Sequence, residues 1–188
     1  MSKNLKRHNL RFGIEKSIRY HTRMHGWYDT VNKIMILLTV VFGSSSVVNL
    51  VIISEGMSTA YLGGVAAFIA ALSLVYAPAT KASTHQELRN RFSDLAIDMD
   101  TNCENDDLNK WQEKRLRIEQ SEFPVYCAVE ADSDNEVRRA WGLDEELARI
   151  SFFQRLTMYV WRYEQSPFTP KENSNPYKKP SGLTVDSV

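Results

Sequence analysis

The sequence predicts an all-α membrane protein, a two-span transmembrane helical hairpin with a cytosolic helical bundle. Residues 34–80 contain a single charged residue, Glu55. Residues 1–33 carry eight Lys/Arg against two acids, and residues 81–188 carry fifteen Lys/Arg against twenty acids. A nearly uncharged block between two polar blocks is typical of a membrane protein that also has a soluble part.

The first predicted span covers residues 34–53, which contain no charge. As a helix it would be about 30 Å long, which matches the hydrocarbon thickness of a bilayer. Thirteen of its residues are Ile, Leu, Val or Phe, and they favour insertion by about 4 to 8 kcal/mol. The second predicted span, residues 57–77, has only seven such residues and is rich in Ala and Gly. We therefore expect it to insert together with the first span, to which the short link 54–56 joins it.

The basic residues predict how the hairpin is oriented. Eight Lys/Arg precede the first span and three follow the second within a few turns, whereas the link carries only Glu55. Positive flanks stay in the cytosol, so we expect a multi-pass protein of the inner (cytoplasmic) membrane with both termini cytosolic. The predicted domains are a basic amphipathic N-terminal cytosolic helix at 1–33, the transmembrane hairpin at 34–80, a cytosolic helical domain at 81–165 and a disordered tail at 166–188.

Small and polar residues form stripes within both spans. In the second span small residues recur every three or four positions, which lets two helix backbones approach closely in lipid. In the first span small and polar residues share about 120° of arc. This polar stripe has two interpretations, a close-packing seam or the lining of a pore that several copies would enclose. The helix-packing seam is Ala60, Gly64, Ala67 and Ala71, and the pore-lining candidates are Thr39, Gly43, Ser46 and Asn49.

Basic and aromatic residues precede the first span. Such side chains favour the headgroup level of a bilayer, and the predicted membrane-interface residues are Arg19, Arg23, Trp27, Tyr28 and Lys33. His21 and His25 stand four positions apart, on one face of a helix. A metal site would need further ligands, which are not evident in the sequence. We therefore predict a solvated or interfacial pair, and a pH-sensing role finds no further support in the sequence.

Several helices are predicted after the hairpin. Pro78 ends or kinks the second span, and apolar residues at three- and four-residue spacing then predict a helix of about 20 residues in a bundle or coiled coil. The predicted cytosolic oligomer seam on this helix is Leu88, Phe92, Leu95 and Met99. Further helices are predicted at 107–121, at 125–131 and 134–141 with a break at Asp132-Ser133, and at 145–164. Gly142 is the predicted C-terminal cap of the second of these, and Asp144 is the predicted N-cap of the last.

The last predicted helix is unusually aromatic. Its aromatic residues are Phe152, Phe153, Tyr159, Trp161 and Tyr163. They spread over more than one face, which leaves three interpretations: core packing, contact with another copy, or contact with the inner leaflet.

No motif for catalysis or cofactor binding is present. The sequence lacks a phosphate-binding glycine loop, a G-x-S-x-G elbow and an H-E-x-x-H motif. We therefore predict no enzyme activity, no cofactor and no metal. Topology and anionic lipid explain the basic N-terminal segment better than nucleic acid does. The expected partners are membrane lipid, further copies of the chain and a sensor or signalling protein.

The stretch 18–28, with the sequence IRYHTRMHGWY, directly precedes the hairpin, and a long helix at 88–99 follows it. Over roughly residues 10–120 this layout resembles the SLATT family, two-transmembrane effectors associated with bacterial nucleotide-signalling defence systems. The resemblance implies oligomerisation through the cytosolic helices and membrane pores that depolarise or kill an infected cell. The expected function is thus an oligomeric effector that forms or gates a pore in the cytoplasmic membrane in anti-phage defence. Signal or infection would rearrange the hairpins so that the polar stripe lines a passage.

A membrane-anchored helical scaffold or superinfection-exclusion protein is the alternative. In that case the hairpin is only an anchor, and the cytosolic helices bind a partner protein without forming a pore.

Overall fold

The computed structural model describes residues 3–44, 59–102, 108–143 and 147–163, and the regular elements in these ranges are all α-helices. The predicted all-α class is confirmed. Residues 45–58, which hold the end of the first predicted span and the link, lie outside the described residues, as does the predicted tail at 166–188. The helices are α1 (Lys3–Gly43), α2 (Thr59–Tyr76), α3 (Pro78–Thr101), α4 (Leu108–Glu119), α5 (Cys127–Ala140) and α6 (Phe152–Thr157).

Helix α1 runs without a break from the basic N-terminal segment into the first predicted span. The apolar side chains of its last turns are largely exposed, Leu37 and Val40 each by 61%. Continuous exposed apolar surfaces are uncommon on monomeric soluble proteins.

Helix α2 is apolar and also exposes much of its surface. Leu74 and Val75 are exposed by more than four-fifths. One helical stretch among the described residues, Tyr61–Thr101, is long and apolar enough to cross a membrane by length and composition.

Ala77 separates α2 from α3. Its φ of 45° lies in the left-handed region, which costs a residue with a Cβ about 1–2 kcal/mol. Its N–H donates to the Ser73 carbonyl at 3.0 Å, and its own carbonyl accepts from the Lys81 N–H at 3.1 Å. Pro78 then occupies the first helical position, where its missing N–H removes no helical bond. The predicted break at Pro78 is confirmed, and Ala77 absorbs the change of direction.

The chain divides into two compact units, His21–Glu87 and a unit formed by Met1–Tyr20 with Leu88–Val188. These boundaries differ from the predicted ones at 33 and 80. The reason is that Leu10 and Ile14, at the start of α1, pack in one cluster with residues from the second half of α3.

Helices α1, α3 and α4 supply the core of the Met1–Tyr20 and Leu88–Val188 unit. Ile14 and Phe92 are fully buried there, and Trp111 is 4% exposed. Burying side chains of this size stabilises the fold by about 1.5–3 kcal/mol each. The cluster comprises Leu10, Ile14, Phe92, Leu95, Ala96, Met99 and Trp111.

The predicted oligomer seam is buried inside the chain. Leu88, Phe92, Leu95 and Met99 are at most 4% exposed. The stripe therefore packs within one chain, where we expected a contact between copies. The apolar face of α1 meets the last three of these residues in the core cluster, and this leaves them no surface for a second copy.

Helix α5 is continuous, so the predicted break at Asp132-Ser133 is wrong. The Ser133 hydroxyl donates to the Val129 carbonyl at 2.8 Å, and the Asp132 carboxylate lies 3.5 Å from the Arg155 guanidinium. Both polar side chains thus find partners without interrupting the helix. The predicted cap is confirmed, since Gly142 has a φ of 72° and the Leu143 N–H donates to the Arg138 carbonyl.

Helix α6 is much shorter than the predicted helix at 145–164. The Asn135 side chain donates to the Ala148 carbonyl at 2.8 Å and accepts from the Ala148 N–H at 2.7 Å. These backbone groups are therefore not available to a helical ladder. The helix begins after Ser151, which forms a capping box with Gln154. Asp144, the predicted N-cap, lies outside the described residues.

Candidate functional site

Histidine and tyrosine side chains gather within the His21–Glu87 unit. We name this group the histidine–tyrosine cluster. His21, His25 and Tyr28 are four and three positions apart and therefore lie on one face of α1. Lys81 and His85 are four positions apart and lie on one face of α3. Its members are His21, His25 and Tyr28 from α1, Tyr76 at the end of α2, and Lys81 and His85 from α3.

His21 and His85 form the buried centre of the cluster. Their Nδ1 atoms are 2.9 Å apart, and the residues are only 1% and 2% exposed. One of these nitrogens must donate a proton and the other must accept it, so the pair holds one proton between them. Protonation of one imidazole preserves this hydrogen bond as long as the other stays neutral, whereas protonation of both would turn two N–H groups toward each other in a site that water does not reach.

Aromatic rings cover the His85 side of the pair. The Tyr28 ring stacks on the His85 ring with centroids 5.5 Å apart and planes 10° apart, and Tyr76 approaches Tyr28 at 6.0 Å. The Lys81 ammonium lies 3.8 Å from the centroid of Tyr76 and 5.5 Å from that of Tyr28. This is cation–π geometry, and it places the ammonium group at the edge of the cluster.

The third histidine has a fixed tautomer. The Nδ1 atom of His25 lies 3.0 Å from the Ala82 carbonyl. Because a carbonyl only accepts, this nitrogen carries the proton and donates it to Ala82.

The environment disfavours the charged form of His85. Burial, together with the neighbouring His21 and His25, lowers the pKa of His85 to about 4. His85 is therefore neutral near pH 7, and its protonation places a charge in a buried site. Chemically, the cluster is a proton-sensitive contact between α1 and α3. In the part of the chain that the structure describes, no three or more His, Cys, Asp or Glu side chains are grouped to hold a metal ion.

The predicted solvated or interfacial histidine pair is wrong for His21, which is buried. His85 precedes Leu88 and Phe92 at the same helical spacing, which predicts that it lies on the packed face of α3. Its contact with His21 was not predicted, because 64 positions separate the two residues.

The predicted membrane-interface residues have varied surroundings. The Arg19 guanidinium lies 2.8 Å from the Glu136 carboxylate, and the Lys33 ammonium lies 2.6 Å from Asp29. Arg23 and Trp27 are half-buried. Tyr28 is 4% exposed inside the histidine–tyrosine cluster, so its ring is covered by the chain itself. Headgroup contact remains a prediction for the other four.

The described half of the polar stripe is Thr39 and Gly43. The Thr39 hydroxyl is half-buried and donates to the Met35 carbonyl at 2.8 Å, within its own helix. Gly43 is exposed. Ser46 and Asn49 lie outside the described residues, so pore lining by this stripe remains a prediction.

The two faces of α2 differ in burial. Leu62 and Ala66 are buried within the chain, and Ile69 and Ser73 are half-buried. Gly64, Ala67 and Ala71 are exposed, and at about 100° per residue they lie on the opposite face. The side chain of Ala60 lies outside the described residues. Among the described residues, these three members of the predicted seam are therefore left uncovered.

No protein-family model, curated protein or solved structure matches this chain.

Proposed function

We propose that the chain is an oligomeric membrane effector that forms or gates a pore in the cytoplasmic membrane in bacterial anti-phage defence. The two opposite faces of α2 carry this proposal. One face, with Leu62 and Ala66, is used within the chain. The other, with Gly64, Ala67 and Ala71, is exposed and has the small-residue spacing that lets helices of neighbouring copies pack closely in lipid.

The exposed apolar surfaces of α1 and α2 support the membrane location. Side chains such as Leu37, Val40, Leu74 and Val75 are more than 60% exposed, and lipid is the environment in which such exposure carries no penalty. In the proposed topology the chain crosses the bilayer twice and both termini are cytosolic. Two helices cannot enclose an aqueous path, so the pore requires several copies.

The polar stripe supplies the proposed lining of the passage. Its members are Thr39, Gly43, Ser46 and Asn49. Asn49 is the informative one, because a carboxamide that faces lipid without a partner is costly. The resemblance to SLATT effectors favours a pore that opens on a signal, for which a sensor or signalling protein is the proposed partner.

The first test separates the small-residue seam from the rest of α2. Ala67→Leu places a bulky side chain on the seam. Ala70→Leu adds the same bulk at an exposed position about 60° from Ala67 and about 90° from the centre of the seam. We expect Ala67→Leu to reduce the assembly size in mild detergent and Ala70→Leu to leave it unchanged. Equal behaviour of the two variants would contradict assembly through this seam.

The second test addresses the passage itself. Asn49→Leu is expected to abolish dye release from proteoliposomes and toxicity in cells while membrane insertion is retained. Unchanged dye release would contradict pore lining by the polar stripe. Replacement of the hairpin by an unrelated two-span hairpin separates a pore from an anchor, because only an anchor would keep its protection against phage after that exchange.

A further inference from the structure

Lys81 lies where the chain leaves the second apolar segment. Helix α2 ends at Tyr76, Ala77 turns the chain, and Lys81 follows in the first turn of α3. Four helical residues rise by about 6 Å, and the headgroup layer on each side of a bilayer is about 5–7 Å thick. In the proposed topology the Lys81 ammonium is therefore level with the lipid headgroups on the cytosolic side.

Two tyrosine rings hold the Lys81 ammonium. It lies 3.8 Å from the centroid of Tyr76 and 5.5 Å from that of Tyr28. Tyr28 is itself 4% exposed and stacks on His85, so the packing of the unit fixes this support. A lysine that is held in one place loses less conformational entropy when it binds an anion than a freely rotating lysine does.

No carboxylate neutralises this ammonium. Among the residues whose side chains the structure describes, no Asp or Glu forms an ion pair with Lys81. Lys33, at the same end of the apolar segments, differs because Asp29 lies 2.6 Å from its ammonium. The Lys81 side chain is half-buried, and a ring on one side leaves N–H donors of the ammonium available to an anion or to water.

Exposed apolar side chains adjoin this cation. Leu74 and Val75, directly before Tyr76, are 82% and 85% exposed. A soluble anion would satisfy the ammonium and leave these side chains in water, whereas a zwitterionic lipid would bring a second positive charge to the headgroup layer. An anionic phospholipid supplies both an acyl chain for the apolar end of α2 and a negative headgroup for Lys81, and a basic residue near such lipid contributes about 1 kcal/mol.

We propose that Lys81, supported by Tyr76 and Tyr28, forms a binding site for one anionic phospholipid. The lipid phosphate accepts hydrogen bonds from the ammonium, and an acyl chain lies along the exposed end of α2 at Leu74 and Val75. The site rests on the proposed membrane location but needs no pore. It gives this end of the hairpin a preference for one class of lipid, in addition to the hydrophobic match that any bilayer offers.

Native mass spectrometry of the full chain tests this site. The purified protein is given equal amounts of phosphatidylglycerol and phosphatidylcholine with the same acyl chains in a mild detergent, and the ratio of the two single-lipid adducts is measured. We expect wild type to bind phosphatidylglycerol preferentially. Lys81→Gln should lower this preference about fivefold, which corresponds to about 1 kcal/mol.

Matched variants separate this site from positive charge in general. Lys33→Gln removes one charge from the same end of the hairpin, but that charge already faces Asp29, so we expect the preference to change less than about twofold. Lys81→Arg keeps a cation that can stack on tyrosine and contact phosphate, so it should retain the preference. Circular dichroism compares the helical content of each variant with that of wild type, so that lost folding is not mistaken for lost lipid binding.

Three results would overturn the proposal. The first is equal binding of the two lipids by wild type, and the second is an equal loss of preference in Lys33→Gln and Lys81→Gln. The third is stabilisation of wild type against thermal unfolding by inorganic phosphate that is as large as the stabilisation by phosphatidylglycerol, which would assign Lys81 to a soluble anion. Resistance to alkaline extraction reports insertion of the hairpin separately, so failure of the lipid site and failure of the proposed membrane location are distinguishable.

Discussion

His21 and His85 meet through their Nδ1 atoms, 2.9 Å apart, in a site from which water is excluded. Together with the His25–Ala82 hydrogen bond and the stacking of Tyr28 on His85, this contact joins α1 to α3 within the His21–Glu87 unit. Helix α1 continues into the first apolar segment, and α3 follows the second directly after Ala77. The protonation state of His85 is therefore linked to how α1 and α3, which adjoin the two apolar segments, pack together.

Acid should destabilise this contact. The pKa of His85 is about 4 in the folded chain and 6.5 in an unfolded one, so between these values the unfolded chain binds more protons. The stability is fully present above pH 6.5 and is lost as the pH falls toward 4, by up to about 3 kcal/mol. Thermal unfolding of the protein in lipid nanodiscs, followed across this pH range, measures the loss.

Two variants identify His85 as the source of the pH dependence. His85→Gln keeps a neutral hydrogen-bonding side chain beside His21 and cannot gain a proton, so the slope between pH 4 and 6.5 should become much shallower. His8→Gln, at an exposed histidine outside this unit, should leave the slope as in wild type. A slope unchanged in His85→Gln would show that other groups cause the acid sensitivity.

Glycine at position 77 should stabilise the chain. Ala77 has a φ of 45°, a conformation that glycine adopts without the steric penalty of a Cβ. We expect Ala77→Gly to raise the free energy of unfolding by about 1 kcal/mol. The matched control is Ala79→Gly, at an exposed position within α3, which should lower it by about 1 kcal/mol. Destabilisation by both variants would show that the left-handed conformation carries no strain at Ala77.

Truncation of Phe92 should be severely destabilising. Its side chain is fully buried in the core that α1, α3 and α4 share, and Phe92→Ala should cost about 3–5 kcal/mol. Ile97→Ala, on the same helix but 62% exposed, should change stability by no more than about 0.5 kcal/mol. Chemical denaturation followed by tryptophan fluorescence compares the two, and a cost for Ile97→Ala that matches the cost for Phe92→Ala would contradict this core.

Asn135 should control the order of the segment after α5. Asn135→Asp keeps the acceptor for the Ala148 N–H but turns a second carboxylate oxygen toward the Ala148 carbonyl, where an amide donated before. We expect hydrogen exchange of residues 147–163 to accelerate at least about tenfold, because a lost hydrogen bond and the new repulsion together cost more than about 1.4 kcal/mol. Unchanged exchange would show that other contacts hold the segment.

The sequence predicts the helices well where periodicity alone decides them. The apolar stripe from Leu88 to Met99, the break at Pro78 and the cap at Gly142 follow from spacing and residue type. The surface against which that stripe packs cannot be predicted from spacing and residue type. Nothing local in the sequence shows that Leu10 and Ile14 fill the space against Phe92, and for this reason an expected contact between copies became an intramolecular core.

Side-chain hydrogen bonds explain the remaining differences. Asn135 holds the backbone of Ala148, so a continuous helix at 145–164 does not form. His21 finds His85 only because α1 and α3 fold together, and a single sequence carries no record of such a long-range pair. The histidine–tyrosine cluster is therefore a product of tertiary packing, whereas the apolar segments beside it can be recognised from composition.

The number of copies in one assembly tests the account most directly. The full chain is extracted into nanodiscs with its surrounding lipid, and the mass of protein in each disc is measured for wild type, Ala67→Leu and Ala70→Leu. We predict a closed assembly of several copies for wild type and Ala70→Leu, and smaller species for Ala67→Leu. A membrane-inserted monomer in all three proteins, under conditions in which the vesicles release dye, would contradict a pore built from hairpins.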